Sequence, residues 1–215
     1  MASNINDCKE LLEYRATKAG YNGNLSPNDF NRIFPSAERR YFNQLYKVYG
    51  INQDNVDSLT KFKSDPTTIT VDSAGKYNKP NDLLHIDSIR HTINNVEVPI
   101  TKVNDDRLGS YLTSTYDAPD LNFPIYVDYN TYIQFYPKNL SSAQLVYLKD
   151  LTPSKWGYTL NGSGRPVYDP TTSTQPNWSN ADIDEIIALC GVDLGVNMRD
   201  TFLYQTQDKL AKENT

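Results

Sequence analysis

His85, Asp87 and His91 are the residues in this sequence whose types and spacing come closest to a metal site. Two histidines and a carboxylate form the ligand set of non-haem iron enzymes. Regular strand periodicity would place the three on one face, but at about 3.3 Å per residue the histidines lie roughly 20 Å apart. Because one ion cannot be held across that distance, we expect no metal site and interpret this segment as a solvated or interface-facing strand.

Nucleophilic catalysis and phosphate binding also lack their usual patterns. The stretch from Asn161 to Gly164 contains Gly-Ser-Gly but not the complete G-x-S-x-G motif of a strand-to-helix elbow. The sequence has no P-loop and no dinucleotide-binding fingerprint. Adjacent carboxylates such as Asp105 and Asp106 are common, and their spacing does not distinguish an acid from a base. We therefore expect a protein that is not an enzyme and that uses no cofactor.

The composition is that of a globular protein with modest negative charge. The chain has 215 residues, of which 38% are hydrophobic and 22% charged, with a net charge of −5. The charge argues against tight binding of nucleic acid. The longest apolar run, Ile186 to Val192, is too short to span a membrane, and Asp7 and Lys9 interrupt the region where a signal peptide would be apolar. We expect a protein used in a soluble compartment without membrane contact.

Cys8 and Cys190 lie near opposite ends of the chain, each at an apolar position of a helical pattern. Their main interpretation is as two buried small hydrophobic residues. A disulfide between the terminal helices is the alternative.

Helical periodicity dominates the first third of the sequence. Apolar residues recur at three- and four-residue steps from Ile5 to Ala16, and Gly20 supplies a stop. Ser26 is placed to cap a second, short helix. Pro35 then predicts the start of a separate, longer helix that ends at Gly50.

The middle of the chain reads as short strands. They are Thr67 to Val71, Leu84 to His91, Val96 to Thr101, Pro124 to Asp128, Thr131 to Tyr136 and Gln144 to Lys149, with a short helix from Asp105 to Leu112. Ile89 interrupts the alternation of its strand, which indicates a bulge or a two-sided strand. Asn94-Asn95 and Tyr129-Asn130 are expected to be the turns of two hairpins, and Pro99 indicates an edge strand or a bulge.

A long connection, residues 151–178, precedes the last helix. It is rich in Pro, Gly, Ser and Thr, and a loop of this length is usually functional or becomes ordered against a partner. Its aromatic residues are the candidate interface residues: Trp156, Tyr158, Tyr168 and Trp178. Ser179 then caps a C-terminal helix, which either continues past Gly191 and Gly195 or breaks there.

Together these patterns predict an α+β fold. N-terminal helices and a long C-terminal helix would pack with a central, small antiparallel β-sheet or sandwich. We expect a single domain over residues 1–215, with a helical part at 4–62 and 179–212, a β-rich part at 66–150 and the loop at 151–178.

Several weak motifs, in order along the chain, resemble virion structural proteins of tailed bacteriophages. They are Phe30-Asn-Arg-Ile-Phe34, Ala37-Glu-Arg-Arg-Tyr-Phe-Asn43, Tyr77-Asn-Lys-Pro80-Asn-Asp82, Ile133-Gln-Phe-Tyr-Pro137, Val146-Tyr-Leu-Lys149, Pro153, Trp156, the Ile186-Ile187 helix and Gly195-Val-Asn-Met-Arg-Asp200. The order is similar to that of neck and ring proteins, and most of all to the head-to-tail ring (adaptor) proteins of crAss-like podophages.

The resemblance implies a structural role without catalytic residues. It implies a homo-oligomeric ring, expected to be a dodecamer, that contacts the portal protein and other tail or ring proteins while DNA passes through without sequence-specific binding. The protein would assemble in the host cytoplasm and reside in the virion. Ten of the 16 tyrosines fall between Tyr77 and Tyr168, and tyrosine suits interfaces because its broad, rigid ring has a polar end.

A glycan-binding module is the alternative. In that interpretation Trp156, Tyr158, Tyr168 and Trp178 would stack on sugar rings, and the protein would bind oligosaccharide as a monomer.

Overall fold

The computed structural model describes residues 4–18, 24–49 and 57–197, and the chain divides into two compact units. The helical unit combines Met1–Lys61 with Leu151–Thr215, and the β unit is the continuous segment Phe62–Asp150. Most helical residues lie in the first unit and the two four-stranded sheets lie in the second, which confirms the α+β class. The assignment of one domain stays a prediction.

Helices of the helical unit bury a common apolar core. The longer helices of the described residues are α1 (Ile5–Lys18), α2 (Pro27–Lys47), α3 (Asp105–Thr113, in the β unit) and α4 (Asn180–Asn197). Helical residues 57–59 lead into a 3-10 turn at Thr60–Phe62. α4 packs against both α1 and α2. The fully buried side chains of this unit include Ile5, Leu12, Phe30, Phe34, Phe42, Ile186 and Ile187.

α2 is one continuous helix, so the prediction of two helices divided at Pro35 is wrong. Ser26 caps it as expected, since the Asp29 N–H donates to the Ser26 Oγ at 3.2 Å. A proline inside a helix removes one backbone hydrogen bond and crowds the preceding turn. The buried stripe that includes Phe34 and Phe42 continues through this point, and its burial favours the unbroken helix. Gly20 and Gly50, the predicted helix ends, lie outside the described residues.

α4 continues through Gly191 and Gly195 to Asn197, so the helix does not break at the glycines. Its start confirms Ser179 as the cap, because Ser179 Oγ accepts from the Asp182 N–H while the Ser179 N–H donates to the Asp182 carboxylate. The remainder of the predicted helical part, residues 198–212, lies outside the described residues. Over the described part of the chain, no helix has the length and apolar character needed to cross a membrane.

The β unit contains two four-stranded sheets. Their strands are β1 (Thr67–Thr70), β2 (Lys76–Asn78), β3 (Leu83–Ile93), β4 (Val96–Pro99), β5 (Thr101–Lys102), β6 (Ile125–Asp128), β7 (Tyr132–Tyr136) and β8 (Ser142–Lys149). The first sheet has the order β1-β8-β3-β4 and is antiparallel throughout. The second has the order β2-β7-β6-β5, and its β5–β6 pair is parallel.

The buried faces of both sheets contribute to one apolar core. Ile69, Ile89 and Leu145 enter it from the first sheet, and Ile133 and Phe135 enter it from the second. Two sheets that share a core in this way form a small sandwich.

The irregularities expected from the sequence lie where the pattern placed them. The β3–β8 register shifts between Ile86 and Ser88, and this bulge lets Ile89 point into the core. Asn94 and Asn95 have φ values of 50° and 63°, as a tight type I′ hairpin turn requires. Pro99 lies in β4, an edge strand, where its missing N–H costs no ladder hydrogen bond.

Residues 151–178, predicted as a long loop, contain regular secondary structure. The strands β9 (Tyr158–Leu160) and β10 (Pro166–Tyr168) form an antiparallel hairpin within this segment. Lys155 and Thr174, which flank the hairpin, form an isolated antiparallel β-bridge. The Asn161 side chain closes the turn by accepting hydrogen bonds from the N–H groups of Ser163 and Arg165. The Gly-Ser-Gly sequence is thus the tip of a hairpin, and Gly164 adopts a positive φ of 72° that a side chain would disfavour.

Candidate interaction surfaces

The residues of the metal hypothesis have other partners. Asp87 forms an ion pair with Lys63 at 2.6 Å, and the His91 Nδ1 lies 3.1 Å from the Ser142 carbonyl oxygen. Within residues 4–18, 24–49 and 57–197, no three His, Cys, Asp or Glu side chains are grouped so that they could hold a metal ion.

Both cysteines are buried free thiols in the helical unit. Burial raises the pKa of Cys8 to about 12, helped by the nearby negative charges of Asp7 and Glu38. Burial also raises the pKa of Cys190 well above its ordinary value. Cys8 and Cys190 therefore act as small hydrophobic residues, and the disulfide alternative is not formed.

Trp178 belongs to the core of the helical unit and not to its surface. Its side chain is 1% exposed. The ring packs edge-on against two aromatic residues of α2, with centroid distances of 5.3 Å to Tyr41 and 6.3 Å to Phe42. The interface role predicted for Trp178 is therefore corrected to a packing role, since its ring faces are already covered.

The Trp156 side chain packs against both strands of the hairpin. It is 5% exposed, and its ring stacks on Tyr158 at 5.7 Å and lies 5.9 Å from Tyr168. The indole N–H donates to the Asn6 Oδ1 at 3.1 Å, and the Lys9 ammonium lies 5.1 Å from the ring centroid. Trp156 is thus corrected from a surface residue to the anchor of the hairpin base.

Three polar residues of α2 bind the backbone that leads to Trp156; we call Asn31, Glu38 and Arg39 the α2 clamp. Arg39 donates to the Leu151 carbonyl at 3.1 Å. The Glu38 carboxylate accepts from the Ser154 N–H at 2.9 Å and from its hydroxyl at 2.6 Å. The Asn31 side chain donates to the Trp156 carbonyl and accepts from the Trp156 N–H.

Glu38 is a fully buried carboxyl group, and this location perturbs its titration. Burial raises its pKa above the ordinary value, although the two hydrogen bonds from Ser154 act in the opposite direction. The α2 clamp therefore contains one group whose protonation is coupled to the stability of the helical unit.

The outer half of the hairpin leaves apolar side chains in solvent. Leu160 is 64% exposed, and Val167 and Tyr158 are also exposed. Leu160 pairs with Pro166 and Tyr158 pairs with Tyr168, so these four side chains share one face of the hairpin. The Trp156 ring contacts the inner pair, Tyr158 and Tyr168, and leaves Tyr158 partly exposed. We call the uncovered part of this face, Leu160 and Pro166, the hairpin surface.

A second apolar surface lies on the β unit. A cleft of about 480 Å³ runs beside α3, and its apolar wall includes Val98, Val103 and Ile125. Tyr116 and Phe123 stand at this cleft with 96% and 78% of their surface exposed. We call this cleft with its two aromatic residues the β-unit groove.

Side chain-to-backbone hydrogen bonds fix the segment that carries the two aromatic residues. The Ser114 hydroxyl accepts from the N–H groups of Tyr116 at 3.2 Å and Asp117 at 2.9 Å. The Asp120 carboxylate accepts from the N–H groups of Asn122 and Phe123, both at 2.8 Å. The exposure of Tyr116 and Phe123 is thus set by two defined turns.

A polar cleft on the same unit is occupied by its own ion pairs. Asp128 lies between two ammonium groups, 2.5 Å from Lys79 and 2.9 Å from Lys102. Partial burial raises the pKa of Asp128, but the hydrogen bonds from both lysines outweigh it and the net pKa is lowered. This arrangement links β5, β6 and the residue that directly follows β2.

Leu160, Tyr116 and Phe123 were not among the residues singled out from the sequence. The available signal was local: Tyr116 and Phe123 are aromatic residues inside a segment of Ser, Thr, Asp, Asn and Pro that predicts turns. Aromatic residues in such a segment have few neighbours to cover them.

No family model matches the chain, and no curated protein matches it significantly.

Proposed function

We propose that this protein is a non-enzymatic virion structural protein, a ring-forming subunit of the head-to-tail connector between portal and tail. The observation that supports the proposal is the pair of exposed apolar surfaces, the hairpin surface on the helical unit and the β-unit groove on the β unit. The two surfaces differ in shape and in residues.

A closed ring requires such a pair. Each subunit in a ring uses one surface toward one neighbour and a different surface toward the other, and the contact closes when the rotation permits. Exposed apolar groups that lie together mark binding surfaces, because a stable monomer gains nothing from leaving them in water.

The chemistry of the β-unit groove also suits a protein interface. Its exposed residues are aromatic, and Tyr116 has a phenol that can hydrogen-bond at the edge of a contact. The net charge of −5 favours a conduit that does not retain DNA.

The glycan-binding alternative depends on four aromatic side chains, and two of them are not accessible to a sugar. Stacking on a sugar needs an accessible ring face, and both tryptophans are buried. Tyr158 and Tyr168 would remain, and each has one side against Trp156. For this reason we do not propose sugar binding.

The proposal is tested by the size and shape of the purified full chain. Light scattering after size exclusion, with negative-stain electron microscopy, should show rings with a central opening, formed either alone or after addition of purified portal protein. A protein that stays monomeric at high concentration and does not sediment with portal particles contradicts the proposal.

A further inference from the structure

We propose that the hairpin surface of one copy inserts into the β-unit groove of the next copy. This inference rests on the proposed ring function and names the contact that would close the ring. It commits to a second copy of this chain as the occupant of the groove.

The hairpin has the form of an inserting element. Its inner pair, Tyr158 and Tyr168, is held against Trp156, while Leu160 and Pro166 project beyond that support. The Asn161 side chain fixes the turn, so little conformational entropy is lost on binding. An apolar pair on a rigid projection is suited to filling a cleft on another molecule.

The β-unit groove has the complementary form. Its wall is partly apolar, its two aromatic residues are exposed to solvent, and its volume of about 480 Å³ accommodates several side chains. The edge strand β4 contributes Val98 to the wall. A hairpin entering here would cover both aromatic rings and the side of an edge strand that is otherwise open.

The charges of one hairpin residue and one groove residue also favour insertion of the hairpin surface into the β-unit groove. Arg165 is exposed in the turn of the hairpin. Asp117 lines the β-unit groove and is exposed. Opposite charges at the end of an apolar contact fix its direction and register.

A mixed-disulfide experiment tests the contact directly. One preparation of the full chain carries Leu160→Cys and a second, distinguished by an affinity tag, carries Phe123→Cys. Because Cys8 and Cys190 are buried, the engineered thiols are the ones available for oxidation. We expect the mixed sample to form a disulfide between the two preparations that neither preparation forms alone.

The matched control uses the opposite face of the same strand. Thr159 is exposed, and its side chain points away from that of Leu160 because alternate residues of a strand face opposite sides. Thr159→Cys mixed with Phe123→Cys should form little disulfide. Equal yields from both mixtures, or a Leu160→Cys preparation that links to itself, would overturn the inference.

Charge exchange provides a second test that needs no new bond. Arg165→Glu and Asp117→Arg should each weaken assembly by about tenfold or more, since each places like charges in contact. The double variant should restore assembly toward the wild-type level. Rings that form normally in both single variants would refute this contact but leave the proposed ring function standing, whereas a wild-type chain that forms no ring refutes the function itself.

Discussion

Asn31 on α2 forms two hydrogen bonds with the backbone of Trp156. Its side-chain NH₂ donates to the Trp156 carbonyl at 2.9 Å, and its Oδ1 accepts from the Trp156 N–H at 2.7 Å. One carboxamide therefore satisfies both backbone groups of a residue 125 positions away. This relationship explains why a segment rich in Gly, Ser and Pro is ordered.

Removal of this carboxamide should destabilise the helical unit. In Asn31→Ala both Trp156 backbone groups lose their partner, and an unsatisfied buried group costs about 1–3 kcal/mol. Urea unfolding, followed by tryptophan fluorescence, should show the loss. Asn139→Ala is the matched control, because Asn139 is exposed and should change the free energy of unfolding by less than about 0.5 kcal/mol. Equal effects of the two variants would contradict the role of Asn31.

The buried Glu38 predicts a specific pH dependence. Its folded-state pKa is raised by burial, so the folded protein holds this proton more tightly than the unfolded chain does. The stabilisation is present below the ordinary carboxyl pKa and is lost as the pH rises through the raised value. Urea unfolding from acidic to neutral pH should show this decline in the wild type.

Glu38→Gln is the variant that isolates this effect. It keeps the shape and one acceptor for Ser154 but does not titrate, so the decline with pH should become shallower. Identical pH profiles for the variant and the wild type would show that Glu38 does not contribute to the pH dependence.

Both thiols should be inert in the native protein. Burial raises the pKa of Cys8 to about 12 and that of Cys190 well above its ordinary value, and the thiolate is the reactive form. Titration with a chromogenic disulfide reagent at mildly alkaline pH should detect almost no thiol before denaturation and two per chain after it. Rapid labelling of the folded protein would contradict the buried positions.

Substitution in the β-unit groove should affect assembly and leave stability intact. Phe123 is largely exposed, so Phe123→Ser should change the free energy of unfolding little while reducing ring formation. Phe135→Ala is the contrasting variant, since Phe135 is fully buried and its truncation should cost about 3–5 kcal/mol. Normal rings from Phe123→Ser would exclude the groove as an interface.

Local turn chemistry was the most predictable part of this fold. Asn94-Asn95 predicted a hairpin because asparagine tolerates the positive φ that the turn requires, and Ser179 predicted a helix start because its hydroxyl can bind a free N–H. Both depend on neighbouring residues alone. The bulge before Ile89 was predictable for the same reason, because the alternation of apolar and polar residues in this strand is interrupted there.

Features decided by distant residues were less predictable. Pro35 carries a local signal for a helix end, but the packing of Phe34 and Phe42 overrides it. Trp156 and Trp178 have the same composition around them as surface aromatic residues. Residues of α2, far away in the sequence, bind the Trp156 backbone and pack against the Trp178 ring. The candidate surfaces were missed because Leu160 and Phe123 are exposed only since no other part of the described chain packs on them. The spacing of residues in the sequence does not reveal which side chains are left uncovered in this way.

The division of the chain also bears on the order of folding. The β unit is one continuous segment, so all the strands of its two sheets are available once residue 150 has been synthesised. The helical unit is interrupted by that segment, and the Glu38–Ser154 bond joins residues 116 positions apart. Contacts between distant residues form late because closing the intervening chain costs entropy. Phe34 and Phe42 of α2, which packs against α4, are therefore expected to reach their final packing only after α4 has been made.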